Sequence, residues 1–304
     1  MFNTSSSSTF RSGFVALVGR PNAGKSTLLN SCIGTKVAIT SPVAQTTRKR
    51  LRAILTSETY QIVFVDTPGL HKPKDTLGNE LNQSTLHEIN DVDVIAFLID
   101  ASKPVGRGDE WVANKVKSSS AKKLLVLTKA DKTSEEQVNK QLNAAQSLCD
   151  FDNTIVISAR ENFNVDSFIN LLVSYLPEGP QWFPPEMTID ADDETLVAEF
   201  IREKVLRNTR EEVPHSVGVL CDDIEYDSNI TRIWATIYVE REGQKGIIIG
   251  HGGDMIKKIG SDARHDLQHW FDTKVYLNLD VKVKRDWRHD ETQIHRFGYD
   301  AQAD

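Results

Sequence analysis

Cysteine is scarce in this chain of 304 residues: Cys32, Cys149 and Cys221 are odd in number and far apart. That spacing excludes a disulfide framework or a cysteine zinc site and fits a reducing cytosol. No apolar run reaches the roughly 20 residues that a bilayer-spanning helix needs. The first dozen residues, including Ser5-Ser6-Ser7-Ser8, contain no apolar segment of the kind a secretory signal requires, so 1–12 reads as a frayed tail. An excess of positive charge is missing too. The formal net charge of −7 has the wrong sign for a general polyanion binder. The charge is uneven, however: residues 190–229 carry 12 acidic and 4 basic side chains, while 241–288 carry 10 basic and 7 acidic. Any nucleic-acid contact is therefore expected to be local and shape-driven, away from the acidic stretch.

What is present is a full phosphate loop, Gly19-Arg20-Pro21-Asn22-Ala23-Gly24-Lys25-Ser26. An apolar strand, Phe14–Val18, leads in, and a helix-period stretch from Ser26 through Thr27 to Ile33 leads out. Glycines let the backbone wrap closely around a phosphate, so that successive N–H groups and the helix N-terminus face the anion. Lys25 is placed for the β- and γ-phosphates and Ser26 for Mg²⁺.

Three later motifs choose the base and the switch. Asp66-Thr67-Pro68-Gly69 ends an apolar strand, so Asp66 can hold Mg²⁺ through water and the Gly69 N–H can sense the γ-phosphate. Thr128-Lys129-Ala130-Asp131 ends another strand. A carboxylate there accepts from guanine's N1–H and exocyclic amine, a donor pair that adenine lacks. The Lys129 stem can lie along the purine face. Ser158-Ala159 can offer a backbone N–H to the guanine carbonyl. Between these motifs, Gln45-Thr46-Thr47-Arg48 is a loop able to reach back to the nucleotide, with Thr47 favoured over Thr46 to complete the Mg²⁺ shell.

From 14 to about 176 apolar runs alternate with amphipathic helical stretches, which predicts an α/β, mostly parallel sheet with helices on both faces. Strands are expected at Phe14–Val18, Arg52–Leu55, Gln61–Val65, Val94–Ile99, Lys123–Leu127 and Thr154–Ile157, with helices near 77–89, 108–117, 134–148 and 164–175. Leu176–Pro185 is rich in proline and reads as a stiff linker. Beyond it a second pattern follows, α-β-β-α-α-β. It contains a long helix over 193–209, strands near 216–222 and 231–240, Gly250-His251-Gly252-Gly253 opening a helix that runs to Phe271, and a final strand Lys274–Val283.

These residues resemble P-loop GTPases of the translation-factor class, and the whole chain resembles the Era family of bacterial ribosome-assembly GTPases. The resemblance rests on Gly19–Ser26, Gln45–Arg48, Asp66–His71, Thr128–Asp131 and Ser158-Ala159, and continues into Phe200–Lys204 and Val239–Lys245. It covers nearly all of 14–300. It implies a GTP-hydrolysing domain over 13–176, with Lys25, Thr47 and Gly69 in the catalytic machinery. The nucleotide would be held by Gly19, Asn22, Ala23, Gly24, Lys25, Ser26, Thr27, Asp66, Gly69, Thr128, Lys129, Asp131, Ser158 and Ala159. A linker over 177–188, an RNA-binding KH domain of the second type over 189–285 and a tail over 286–304 would follow. The implied ligands are GTP, GDP and Mg²⁺ on Ser26, Thr47 and Asp66. The implied partners are the 3′ region of small-subunit ribosomal RNA and the 30S subunit. A cytoplasmic monomer is expected, with peripheral attachment to the inner membrane left open.

Departures from the family pattern matter. Leu70 stands where many GTPases carry the glutamine that orients water, so intrinsic hydrolysis should be slow unless another group substitutes. Similar GTPases use K⁺ held partly by a P-loop asparagine, the position of Asn22. Thr128 replaces the usual asparagine of the base motif, and a hydroxyl can make only one of the amide's bonds. The G-x-x-G loop Gly250–Gly253, next to Ile249 and followed by Lys257 and Lys258, matches the RNA-backbone clamp of KH domains. It carries only His251 where relatives often place a lysine. A GTP-regulated docking module for protein or membrane partners remains an alternative. A G domain serving a tRNA-modifying site is another, though no catalytic cysteine or cofactor fingerprint supports it.

Overall fold

The computed structural model describes residues 9–41, 47–49, 51–73, 75–210 and 213–299. Gln45 and Thr46, with 1–8 of the expected N-terminal tail and the last five residues, 300–304, of the expected C-terminal tail, lie outside the described residues. The chain divides into two compact units: 1–38, 50–72 and 84–190 form unit 1, and 39–49, 73–83 and 191–304 form unit 2.

From 11 to 190 the chain runs β1 (Arg11–Gly19), α1 (Lys25–Ile33), β2 (Leu51–Thr56), β3 (Tyr60–Asp66), α2 (Thr76–Asn90), β4 (Val94–Asp100), α3 (Arg107–Val116), β5 (Lys122–Thr128), α4 (Glu135–Gln146), β6 (Asn153–Val156), α5 (Val165–Tyr175) and β7 (Ile189–Asp190). All are in unit 1 except the first part of α2, through residue 83, which belongs to unit 2. The strands form one seven-stranded sheet in the order β6-β5-β4-β1-β3-β2-β7. Pairs among β1, β3, β4, β5 and β6 are parallel, whereas β2 runs antiparallel to β3 and β7. The central strands are apolar without alternation: Val15, Ala16, Leu17 and Val18, like Val94–Leu98, are essentially unexposed. Such runs belong to a parallel sheet covered on both faces. β1 starts at Arg11, inside the expected tail, because Arg11 and Ser12 already stand in register with Tyr60 and Gln61 of β3.

In unit 2 the elements are α6 (Asp193–Asn208), α7 (Val213–Ser216), β8 (Gly218–Asp227), β9 (Ile230–Val239), α8 (Glu242–Ile249), α9 (Asp254–Phe271), β10 (Lys274–Val283) and α10 (Glu291–Arg296). Strand order is β10-β9-β8, with β9 antiparallel to β8 and parallel to β10. Period-two alternation sorts β9. Ile233, Ala235, Ile237 and Val239 join the core with Phe200, Ile201, Val205, Ile248, Ile259 and Leu267. Tyr238 instead meets a second cluster, Leu77, Leu81, Trp287, Ile294, Phe297 and Tyr299. Residues 287–299, within the stretch expected as a tail, thus fold onto unit 2, with Trp287 fully buried and its Nε1–H donating to the Ser216 carbonyl at 2.8 Å.

The long helix α6 was expected to be amphipathic, yet every residue from Leu196 to Leu206 is buried. Its charges are matched internally. Arg202 donates to both oxygens of Glu199 at 2.8 and 2.7 Å, and Glu203 accepts from the Thr40 backbone N–H at 2.8 Å.

Candidate functional site

The ends of the parallel strands, where α/β sheets bind ligands, gather the nucleotide motifs of unit 1. β1 delivers Gly19, and the turn that follows puts Asn22 in the left-handed region (φ 64°) before Gly24 caps α1. Lys25 enters the first turn of α1 buried, its Nζ 3.5 Å from the carbonyls of both Gly19 and Arg20. Burial lowers its ammonium to about 8, against a smaller opposing pull from Asp66. A cation held this way is primed for an anion. Thr27, still in the first turn of the helix, is exposed.

Asp66 ends β3, fully buried, and accepts from Ser26 Oγ at 3.1 Å. Two hard oxygens side by side, next to a phosphate loop, form a donor set suited to Mg²⁺. Gly69 is required by packing: a Cβ there would lie 2.9 Å from the Pro21 Cα, so only glycine lets this turn approach the phosphate loop. Leu70 is fully buried in the sheet core and presents nothing that could orient water.

The base motif is tied to the phosphate loop from behind. The Thr128 hydroxyl lies 2.6 Å from the Ala23 carbonyl and 3.1 Å from that of Ile99, so one proton serves two acceptors. Lys129, itself left-handed (φ 59°), donates to the Asn22 carbonyl at 2.5 Å and to Asp100 Oδ2 at 2.7 Å. Burial works against the Asp100 charge, but bonds from Lys129 and Ser102 outweigh it and hold the carboxyl below its usual range. Asp100, at the end of β4, was not singled out by sequence. Only its neighbourhood to the base motif across the β4–β5 register could have revealed it. Asp131 accepts from the Ser158 hydroxyl at 2.7 Å. Gly24, Thr27, Leu28, Thr128, Lys129, Asp131 and Ala159 line one open cleft. Unit 1 therefore brings together every predicted nucleotide residue except Thr47.

Thr47 and Arg48 are buried and fold with unit 2. Arg48 explains this: its guanidinium donates to the carbonyls of Val217 (2.5 Å) and His215 (3.0 Å) and lies over the rings of Trp287 and Tyr299. Burial lowers it to about 10, so it is charged at neutral pH.

In unit 2 the Gly250–Gly253 loop separates α8 from α9. Gly250, Gly252 and Gly253 have φ of 75°, 59° and 85°. At Gly250 the space is closed as well, since a Cβ would sit 2.7 Å from the Met255 nitrogen, whereas Gly252 and Gly253 have nothing within 4 Å. Backbone N–H groups at this end of α9 suit an anion, opposed by Asp254 in the first turn. His251, Lys257 and Lys258 are exposed, and Ile249 is half-buried. Among the described residues no helix is long and apolar enough to cross a membrane.

Known proteins match both units. Residues 14–129 fit the family model for 50S ribosome-binding GTPases, and 212–288 fit that for KH domains. A crystal structure of Era with MgGDPNP and nucleotides 1506–1542 of 16S ribosomal RNA is 38% identical, covers 96% of this chain and 99% of its own, and superposes with a TM-score of 0.92. A variant of Era from Aquifex aeolicus bound to GDP and AlF₄⁻ gives the same identity and TM-score, with 96% and 100% coverage.

Proposed function

We propose, for a chain that belongs to the Era family of GTPases, that it hydrolyses GTP and uses the nucleotide state to control binding of small-subunit ribosomal RNA during 30S assembly. The observation that supports this reading is the coexistence in one chain of the cleft lined by the phosphate loop and the base motif in unit 1 and the triple-glycine loop of unit 2. Segments 39–49 and 73–83 follow nucleotide motifs along the chain and fold into unit 2. They are the covalent route by which nucleotide state would reach the RNA-binding part. The RNA assignment follows the whole-chain likeness to Era rather than the GTPase family model, which covers only 14–129.

Lys25 and the phosphate-loop amides bind and orient the β- and γ-phosphates, and Lys25 stays protonated beside the developing charge. Ser26 and Asp66 would hold Mg²⁺, which neutralises phosphate charge when bound; Thr47 is proposed to complete that shell with GTP. The Gly69 N–H is proposed to sense the γ-phosphate. Because Leu70 supplies no bond to water, a K⁺ ion held with Asn22 is the proposed substitute. Identical hydrolysis rates in Na⁺ and K⁺ buffers would refute it. The same reading includes a cytoplasmic monomer with peripheral contact to the inner membrane, testable by fractionation and sedimentation.

Crosslinking in cells followed by sequencing of bound RNA tests the central claim. Reads from the 3′ region of small-subunit RNA are expected, and they should fall in Gly252→Asp and Gly253→Asp, where a new Cβ meets nothing within 4 Å but is strained by the positive φ and the carboxylate repels phosphate. Gly252→Ala and Gly253→Ala, equally strained but uncharged, should lose fewer reads. Recovery of membrane partners only, or reads unchanged by both aspartate substitutions, would instead favour a docking module.

A further inference from the structure

Glu240 follows the last residue of β9 and is 8% exposed. Arg288 holds one of its oxygens: Nη2 donates to Oε2 at 2.8 Å, while Nη1 donates to Asp75 Oδ2 at 3.2 Å. The other oxygen, Oε1, is buried and has no hydrogen-bond partner among the described residues. A bare buried carboxylate oxygen is uncommon, and an ion or water is the usual resolution.

Two ligating groups stand beside this carboxylate. Asp286 caps, in the left-handed region, a 3₁₀ turn, Trp287–His289, that His289 ends. The buried Trp287 indole anchors the turn from inside. One ligand atom from each of Glu240, Asp286 and His289 lies within 4.8 Å of the other two. Three carboxylates (Glu240, Asp286 and Asp75) share the single Arg288 guanidinium among these groups, so a dication meets favourable charge.

We propose that Glu240, Asp286 and His289 bind a borderline divalent transition-metal ion of the zinc type, with water completing the shell. One imidazole nitrogen and two carboxylate oxygens suit such an ion, whereas Mg²⁺ and Ca²⁺ prefer oxygen alone. Ligand atoms on tetrahedral zinc sit about 3.3 Å apart, given bonds near 2 Å. The trio must therefore contract. Glu240 is fixed by burial and by Arg288, and the exposed Asp286 and His289 supply the rotation. The ion would clamp the end of β9 to the segment that follows β10.

The test is a Zn²⁺ titration of the full chain, metal-stripped and nucleotide-free, in competition with a chromophoric chelator. Circular dichroism would confirm that each variant is folded. One saturable site is expected. His289→Ala and Asp286→Asn, both at exposed positions, should each weaken it by at least about tenfold, and Zn²⁺ should shift the His289 ring resonances in the wild type. The separate pair His265 and His269 on α9, with ring centroids 5.1 Å apart, is the internal control. No saturable site in the wild type, unchanged affinity in His289→Ala, or loss that follows His265→Ala and His269→Ala would each overturn the proposal.

Discussion

Lys25 carries a pH dependence that nucleotide binding should expose. Burial lowers its ammonium from 10.5 to about 8 in the ligand-free protein. Between these values the unfolded chain binds more protons than the folded one, so the stability of the ligand-free protein rises as pH climbs from 8 to 10.5. The shift corresponds to about 3 kcal/mol across that window. Phosphates arriving beside Lys25 restore its charge. Binding above pH 8 must then take up a proton: at pH 9 roughly ten in eleven ligand-free molecules have Lys25 neutral, so uptake is about 0.9 proton per nucleotide. The dissociation constant should weaken about tenfold per pH unit above 8. Calorimetry with a non-hydrolysable GTP analogue, run at pH 7 and 9 in buffers of different ionisation enthalpy, measures the uptake directly. The nucleotide's phosphates do not interfere, because their last ionisation lies near pH 6. Lys25→Met should abolish uptake and raise ligand-free stability below pH 8. Zero uptake at pH 9, or a flat dissociation constant from pH 7.5 to 9.5, would refute the reasoning.

Other outcomes follow from the same contacts. Asp131→Asn should change the ratio of guanosine to xanthosine triphosphate affinity by roughly a hundredfold or more, read by competition binding. Thr128→Val leaves the Ala23 carbonyl without its 2.6 Å donor and should weaken GDP by about tenfold, from a loss of about 1–3 kcal/mol shared between stability and binding. Thr128→Asn adds a second donor and should tighten GDP in the same assay. Trp287→Ala removes a fully buried indole and should destabilise unit 2 by about 3–5 kcal/mol in denaturant titrations, leaving GDP affinity unchanged.

The parts that could be read from the sequence are those whose signal is local. β1, β3, β4 and β5 stand out as apolar runs because both faces of a parallel strand are covered. The phosphate loop and the base motif are legible because backbone geometry demands glycine and an Asp at fixed spacing. β7 escapes because two residues, Ile189 and Asp190, give no periodicity and exist only through pairing with β2. Arg48 looks like a loop residue because its partners, Val217, Trp287 and Tyr299, lie some 170 to 250 residues further along. Asp100 is hidden for a related reason, since its salt bridge to Lys129 crosses between neighbouring strands. Residues 287–299 read as a tail because their apolar side chains, Trp287, Ile294, Phe297 and Tyr299, follow no single period; a face of the sheet gathers them.

The burial of Arg48 also sets an order of events during synthesis. Chains emerge N-terminal end first and tend to fold by units, yet this guanidinium finds its carbonyls only once residues 215–217 exist and its rings only once 287 and 299 do. Arg48 must therefore wait, unsatisfied, through most of translation. Contacts of such long sequence separation form slowly. The expected rate-limiting event in refolding is the docking of this one arginine, after the sheet that made the chain recognisable has already formed.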